Sequence, residues 1–220
     1  MLTAQQFLYA IIAIISLFIL NVKGQEHLET CPAFIPHSTI NATDMAGVWY
    51  GASRSPAHQF ACVEMKMNLM NNGTQIKIIT SHAALNTTLL STTKEALVDV
   101  ADLTKPDGFI VKYNVTNEKP VTYKIMNFDE SKKKFVLLCG YTDIHNPDES
   151  FGLILSRERI ADKNSLDEIK GAASEHYYNF QKDTVVDIQQ SDKCSSSASA
   201  AVPVLITILG VVYSFLKFVH

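Results

Sequence analysis

Among its 220 residues the chain has one tryptophan, Trp49, only four cysteines and no block of basic residues. Each scarcity excludes something. With 19 lysines and arginines against 22 aspartates and glutamates, and no basic run, the electrostatic footprint of a nucleic-acid binder is missing. Cys31, Cys62, Cys139 and Cys194 lie far apart, without the C-x2-C clustering that a zinc site needs. There is no phosphate-binding glycine loop, G-x-S-x-G elbow or H-E-x-x-H helix, so no catalytic motif argues for an enzyme, and no cofactor or metal is implied. His27, His37, His58, His82, His145 and His176 are scattered without paired-ligand spacing and read as solvated loop residues.

The two ends are rich in what the middle avoids. Phe7–Leu20 is a 14-residue apolar block followed by Asn21-Val22-Lys23-Gly24. It is short for a membrane span, and the small or branched residues at Val22 and Gly24 suit signal-peptide cleavage before Gln25. A basic segment ahead of the block is missing. A buried globular helix is the competing reading, but no polar residue marks a second face. At the other end, the small polar run Ser195–Ala200 precedes the apolar stretch Ala201–Val219. This is the pattern of a glycolipid (GPI) attachment signal, with Ser195, Ser196 or Ser197 as the attachment residue and the tail removed. A single-span tail is the alternative, with only Lys217 and His220 to serve as its cytoplasmic flank. Residues 1–24 are thus expected to be a signal peptide, 25–194 a single domain and 195–220 an anchor signal. The domain is expected outside the cell, on the outer leaflet of the plasma membrane. Two of the 19 basic residues, Lys23 and Lys217, lie in the ends and all 22 acidic residues lie between, so the processed domain carries a net charge of −5.

An extracellular setting agrees with two further features. Four N-x-[ST] sequons begin at Asn41, Asn72, Asn86 and Asn114. Four cysteines in an oxidising compartment form two disulfides, with three pairings open. Anchor attachment at Ser191 would discard Cys194 and leave an odd thiol, so the attachment point is expected after residue 194.

From Gly47 to Ser156 the pattern has period two. Val63, Met65, Met67 and Leu69 alternate with polar residues, the turn at Asn72-Gly73 follows, and Ile76 and Ile78 resume on the far side. Phe109, Val111, Tyr113 and Val115, then Val121, Tyr123 and Ile125, then Leu153 and Leu155 continue one apolar face. On that parity Cys62 and Asn114 face outward. Gly47–Ser53, Lys134–Gly140 and a less legible piece around Asn86–Val100 bring the count to eight strands, joined by short connections and therefore antiparallel in order. Eight such strands close into an up-and-down barrel and remove their edges; a two-sheet sandwich shows the same local alternation. After Arg157 the period changes. Leu166, Ile169, Ala173 and Tyr177 share a helical face, with Asn164 or Ser165 as the N-cap.

The chain resembles a lipocalin, and most the apolipoprotein D/Lazarillo branch. The residues carrying the resemblance are Gly47-Val48-Trp49 opening the first strand, Cys31-Pro32 before it, and Leu153-Ile-Leu-Ser-Arg157 closing the last, followed by the helix. The likeness spans roughly Cys31 to Cys194. It implies an eight-stranded antiparallel β-barrel with one C-terminal helix packed outside. It implies that Arg157 lies over Trp49 at the closed end, a cation–π contact of about 1–2 kcal/mol when shielded. It implies the pairings Cys31–Cys139 and Cys62–Cys194. The family's threonine–aspartate–tyrosine motif is reduced to Asp129, which weakens the receptor contact that some relatives make there.

The function implied is extracellular binding of a small hydrophobic ligand (lipid, sterol, retinoid or bilin) in the barrel cup. The apolar set Val63, Met65, Met67, Leu69, Ile76, Ile78, Phe109, Val111, Tyr113, Tyr123, Ile125, Leu153 and Leu155 forms the expected lining. A filled core without a ligand is the alternative for those residues. A cell-surface recognition or adhesion glycoprotein with a vestigial pocket, working through a receptor, is the alternative for the whole protein.

Overall fold

The computed structural model describes residues 31, 40–87, 89–90, 92–128, 134–181 and 184–196. Residues 1–24, expected as a signal peptide, residues 197–220 of the expected anchor signal, and Asp129 therefore lie outside the described residues. A one-turn helix, Ala42–Met45, starts where the Asn41 side chain accepts from the Thr43 N–H at 3.0 Å. It leads into β1 (Gly47–Ser55), β2 (Phe60–Met70) and β3 (Gln75–Ala84). The short β4 (Leu89–Leu90) and β5 (Thr92–Asp99) come next, then β6 (Phe109–Val111), β7 (Val121–Phe128), β8 (Phe135–Tyr141) and β9 (Ser150–Ser156). The order around the sheet is β5-β3-β2-β1-β9-β8-β7-β6, every pair antiparallel. Eight antiparallel strands thus form a nearly closed barrel, and the sandwich alternative is excluded.

The remaining seam, between β5 and β6, is bridged at the backbone by Asn114. The Asn114 N–H donates to the Glu95 carbonyl at 2.8 Å, and the Asn114 Oδ1 accepts from the Glu95 N–H at 2.9 Å. The sixth strand is accordingly shorter than its alternation suggests. Its ladder ends at Val111, and Val115, expected inward, is 41% exposed in the turn that follows. The physical reason is that Asn114 leaves the β7 side and bonds across the gap to β5.

The helix Lys163–His176 begins earlier than its apolar spacing implies. Asp162 rather than Asn164 or Ser165 is the cap, its carboxylate accepting from the Ser165 N–H and hydroxyl, both at 2.9 Å. Leu166 and Ala173 are buried, and Ile169 and Tyr177 half-buried, against Met126, Phe135, Leu137 and Ile154 on the outer face of β7, β8 and β9. That cover explains why β8 reads as an unbroken apolar run, since both its faces are buried. After the helix, β10 (Val186–Asp187) joins β1, and β11 (Ser195–Ser196) runs parallel to β4.

Candidate ligand cup

The floor is built from the start of β1 and the end of β9. Trp49 is fully buried, donates its indole N–H to the Met45 carbonyl at 2.8 Å, and meets Phe128 edge-on at 6.3 Å. The Arg157 guanidinium lies 3.6 Å from the indole centroid. Its Nη1 donates to the Val48 carbonyl at 3.1 Å and its Nη2 to the Asp44 carbonyl, which fixes the plane of the fork over the ring. Gly47 has φ +104°, and a Cβ there would sit 3.0 Å from Arg157 Nη1. The glycine two residues before the tryptophan is what lets the guanidinium close the end.

Above this floor the barrel is filled, and above the filling it is hollow. Of the side chains the sequence assigns to the lining, Val63, Met65, Tyr113, Tyr123 and Leu153 face a cavity of about 430 Å³. Met67, Ile76, Ile78, Phe109, Val111, Ile125 and Leu155 are packed in the core beneath it, with Leu69 half-buried at its edge. Both readings of the apolar face are therefore realised, each at one end, because Trp49, Phe128, Met45 and Met67 occupy the volume of the lower half.

Two β-bulges decide what else reaches the cavity. In β1, Gly51 pairs with Leu155 and Ser53 with Ile154, so Ala52 is the extra residue. Continued alternation from Trp49 would turn Arg54 outward; after the bulge Arg54 pairs with the inward Leu153 and points in. In β2 the ladder slips between Ala61 and Glu64, with Cys62 at φ 54°, and Phe60 turns inward for the same reason. Phe60 is then stacked between two of the histidines that look scattered in sequence, His58 at 3.9 Å and His82 at 3.7 Å. These three rings form one side of the cavity mouth.

The wall also carries polar groups. Tyr113 Oη lies 3.1 Å from Thr80 Oγ1 and 3.5 Å from Tyr123 Oη. Burial pushes the Tyr123 phenol well above its usual range, with Tyr113 adding to the shift. Lys94 is paired with Glu118 at 2.6 Å. Arg54 lies over the Phe151 ring at 4.3 Å, and Phe151 meets Tyr123 edge-on at 5.7 Å. Gly140, between Tyr123 and Phe151 in the ladder, makes this cluster fit, because a Cβ there would overlap the Phe151 ring. Gly140→Ala is expected to lower stability by about 1–3 kcal/mol in urea denaturation, the range for overpacking, and to shift Phe151.

The last part of the wall comes from the C-terminal segment. Ile188 donates its N–H to the Ala52 carbonyl at 2.9 Å, and Cys62 donates its N–H to the Gln189 carbonyl at 2.8 Å. The Gln190 amide donates to the Gly51 and Val63 carbonyls at 3.0 and 2.8 Å. Residues 186–189 thus fill the space where β1 and β2 diverge and become part of the lining. The Cys62–Cys194 disulfide locks this segment in place, and Cys31–Cys139 ties the N-terminal segment to the outer side of β8.

His58 and His82 give the mouth a pH dependence. Burial lowers both imidazoles below their ordinary value, with Arg54 adding to the shift at His58, and Lys94 and His58 adding at His82. The unfolded chain therefore takes up these protons first. Their effect on stability is absent above about pH 6.5 and becomes a loss as pH falls below it. The thermal midpoint is expected to drop between about pH 7.5 and pH 5.5, and less steeply in a His58→Gln/His82→Gln double variant.

The sequon asparagines Asn41, Asn72, Asn86 and Asn114 are all exposed, Asn72 and Asn86 at positive φ in turns. Among the described residues, no group of three or more His, Cys, Asp or Glu side chains is placed to hold a metal.

Eight up-and-down strands around a cup, a tryptophan–arginine floor and one outer helix define the lipocalin fold. Among solved structures the chain is similar to lobster apocrustacyanin A1, at 19% identity and a TM-score of 0.52, over 70% of this chain and 82% of that one. It is similar to insecticyanin from the tobacco hornworm Manduca sexta, at 15% and 0.56, over 76% and 90%. It is also similar to the amine binding protein of Rhodnius prolixus in its tryptamine complex, at 15% and 0.54, over 75% and 92%. At these identities the likeness is one of fold. No protein-family model matches the sequence, and no curated protein matches it.

Proposed function

We propose that this chain is an extracellular lipocalin of the apolipoprotein D/Lazarillo branch that binds a small hydrophobic ligand in its cup. On this reading it is held at the outer leaflet of the plasma membrane by a glycolipid anchor. The observation that carries the binding role is the cavity of about 430 Å³ above a sealed floor, bordered by Val63, Met65, Val121, Phe151 and Leu153. That volume lies within the range of small-molecule sites, about 300–1,000 Å³. The fold neighbours support the same role, since one of them is a tryptamine complex of an amine binding protein. The pairing of Cys31 with Cys139 and of Cys62 with Cys194 supports the branch. Two disulfides and four exposed sequon asparagines support secretion and glycosylation. Attachment at Ser195, Ser196 or Ser197 would follow directly on Cys194 and hold the barrel wall close to the membrane.

The test is treatment of cells expressing the full chain with a phosphatidylinositol-specific phospholipase, then mass spectrometry of the ligand extracted from the released protein. Release together with a bound hydrophobic molecule is expected. Retention on the membrane would favour the spanning tail. Failure of fatty acids, retinoids, sterols and bilins alike to bind, with cell–cell binding intact, would favour the adhesion reading and a vestigial cup.

A further inference from the structure

Among the described residues, the cup holds a charge that is left without a counter-charge. Arg54 faces inward from β1, half-buried, with its Nε shielded from solvent and without a hydrogen-bond partner. No carboxylate lies within ion-pair distance of it among the described residues. The two acidic side chains that share its wall are already engaged: Glu118 by Lys94 at 2.6 Å, and Asp187 by Lys170 at 2.9 Å and the Ser53 hydroxyl at 2.7 Å. What Arg54 has instead is the face of Phe151, a contact weak beside the cost of taking a guanidinium out of water. Burial accordingly lowers its affinity for its proton.

A group kept in this condition is satisfied when an anion arrives. A guanidinium matches a planar carboxylate with two parallel N–H···O bonds; an ammonium accepts none, and a hydroxyl offers one oxygen instead of two. Beside Arg54 the wall is apolar, through Val63, Met65, Val121 and Leu153. Resting on the ligand-cup reading above, we infer that Arg54 makes the cup selective for amphiphilic acids: a carboxylate pairs with its guanidinium while a hydrocarbon chain lies along Met65, Val63 and Leu153. A cationic amine is disfavoured in the same place, since it would meet an unpaired guanidinium and two carboxylates already taken by lysines.

The experiment compares a fluorescent polyene fatty acid, cis-parinaric acid, with its methyl ester. Both are titrated into the mature protein purified from cells expressing the full chain, wild-type and Arg54→Gln. The wild type is expected to bind the acid at least about 10-fold more tightly than the ester, and Arg54→Gln to lose about 10- to 100-fold for the acid. Ester affinity is expected to change by less than about two-fold, which shows that the cup persists in the variant. Equal binding of acid and ester by the wild type, or undiminished acid binding by Arg54→Gln, would overturn the assignment and leave the ligand-cup reading standing. If neither probe binds, the acid assignment falls, and the retinoid, sterol and bilin titrations decide the ligand-cup reading. Should Arg54→Gln fail to fold, Arg54→Lys decides: it keeps the charge but not the fork, and an acid preference reduced yet present is expected, while an unchanged one would overturn the role of the guanidinium.

Discussion

Trp49→Ala is expected to cost about 3–5 kcal/mol of unfolding free energy, the range for deleting a large aromatic side chain from a packed interior. Set against a typical total of about 5–15 kcal/mol, that is a large fraction of the stability, from about a fifth to the whole of it. The reason is volume more than polarity. The indole is fully buried, with Met45 and Phe128 against it and Arg157 over it, and the strands around it are tied into a ladder that cannot collapse inward. Arg157→Met removes the cation–π contact and the donors to the Val48 and Asp44 carbonyls, but keeps an aliphatic cover on the ring. It is expected to cost about 2 kcal/mol, less than half the upper figure for Trp49→Ala. Urea denaturation of the two variants checks the ordering. If Arg157→Met proves as costly as Trp49→Ala, the floor is held by its polar fork and not by the filled volume.

The second large effect is expected at the Cys62–Cys194 bridge. Its residues are 132 apart in sequence, and by chain-entropy reasoning a loop of that length is worth about 4–5 kcal/mol. The Cys31–Cys139 bridge spans 108 residues and is worth nearly the same. The two should nonetheless differ in function. Cys31–Cys139 lies in the outer layer under the helix, whereas Cys62–Cys194 secures the segment that lines the cup through Val186–Gln189. The Cys31→Ala/Cys139→Ala variant is expected to lose stability with ligand affinity little changed. The Cys62→Ala/Cys194→Ala variant is expected to lose both, with ligand dissociation at least about 10-fold faster as the released segment opens the wall. Equal affinities in the two variants would show that the C-terminal segment holds its place through its backbone hydrogen bonds alone.

Much of the barrel was legible because a strand with one buried face repeats every two residues, and that repeat needs no knowledge of the partner strand. Val63, Met65, Tyr113, Tyr123 and Leu153 were found that way. The same reasoning cannot say how far up a barrel the side chains run out of volume to fill. Met67, Ile76, Ile78, Phe109, Val111, Ile125 and Leu155 have the same pattern as the cavity residues and end in packed core. His58, outside any strand, and His82, on the inward parity of Ile76 and Ile78, were passed over as scattered histidines; Arg54 and Phe60 were missed for a sharper reason. A bulge adds one residue to one strand, so it appears only in the pairing with the neighbour, as Gly51↔Leu155 followed by Ser53↔Ile154. A charged residue such as Arg54 on a strand is read as solvent-facing unless that slip is known. Val115 and the helix cap failed for local reasons of the same kind, a hydrogen bond across the seam at Asn114 and a carboxylate at Asp162.

The family resemblance implied that Gly47, Trp49 and Arg157 meet as the floor; by itself, the sequence determined the number and direction of the strands, the apolar face they share and the helix that follows. The latter depend on local periodicity. Tertiary structure alone decided where the barrel is full and where it is hollow, and that a guanidinium and two imidazoles border the hollow part. It also decided that residues 186–189 complete the wall. Those outcomes turn on two one-residue slips in register and on a contact between segments more than 120 positions apart, neither of which leaves a local pattern in the chain.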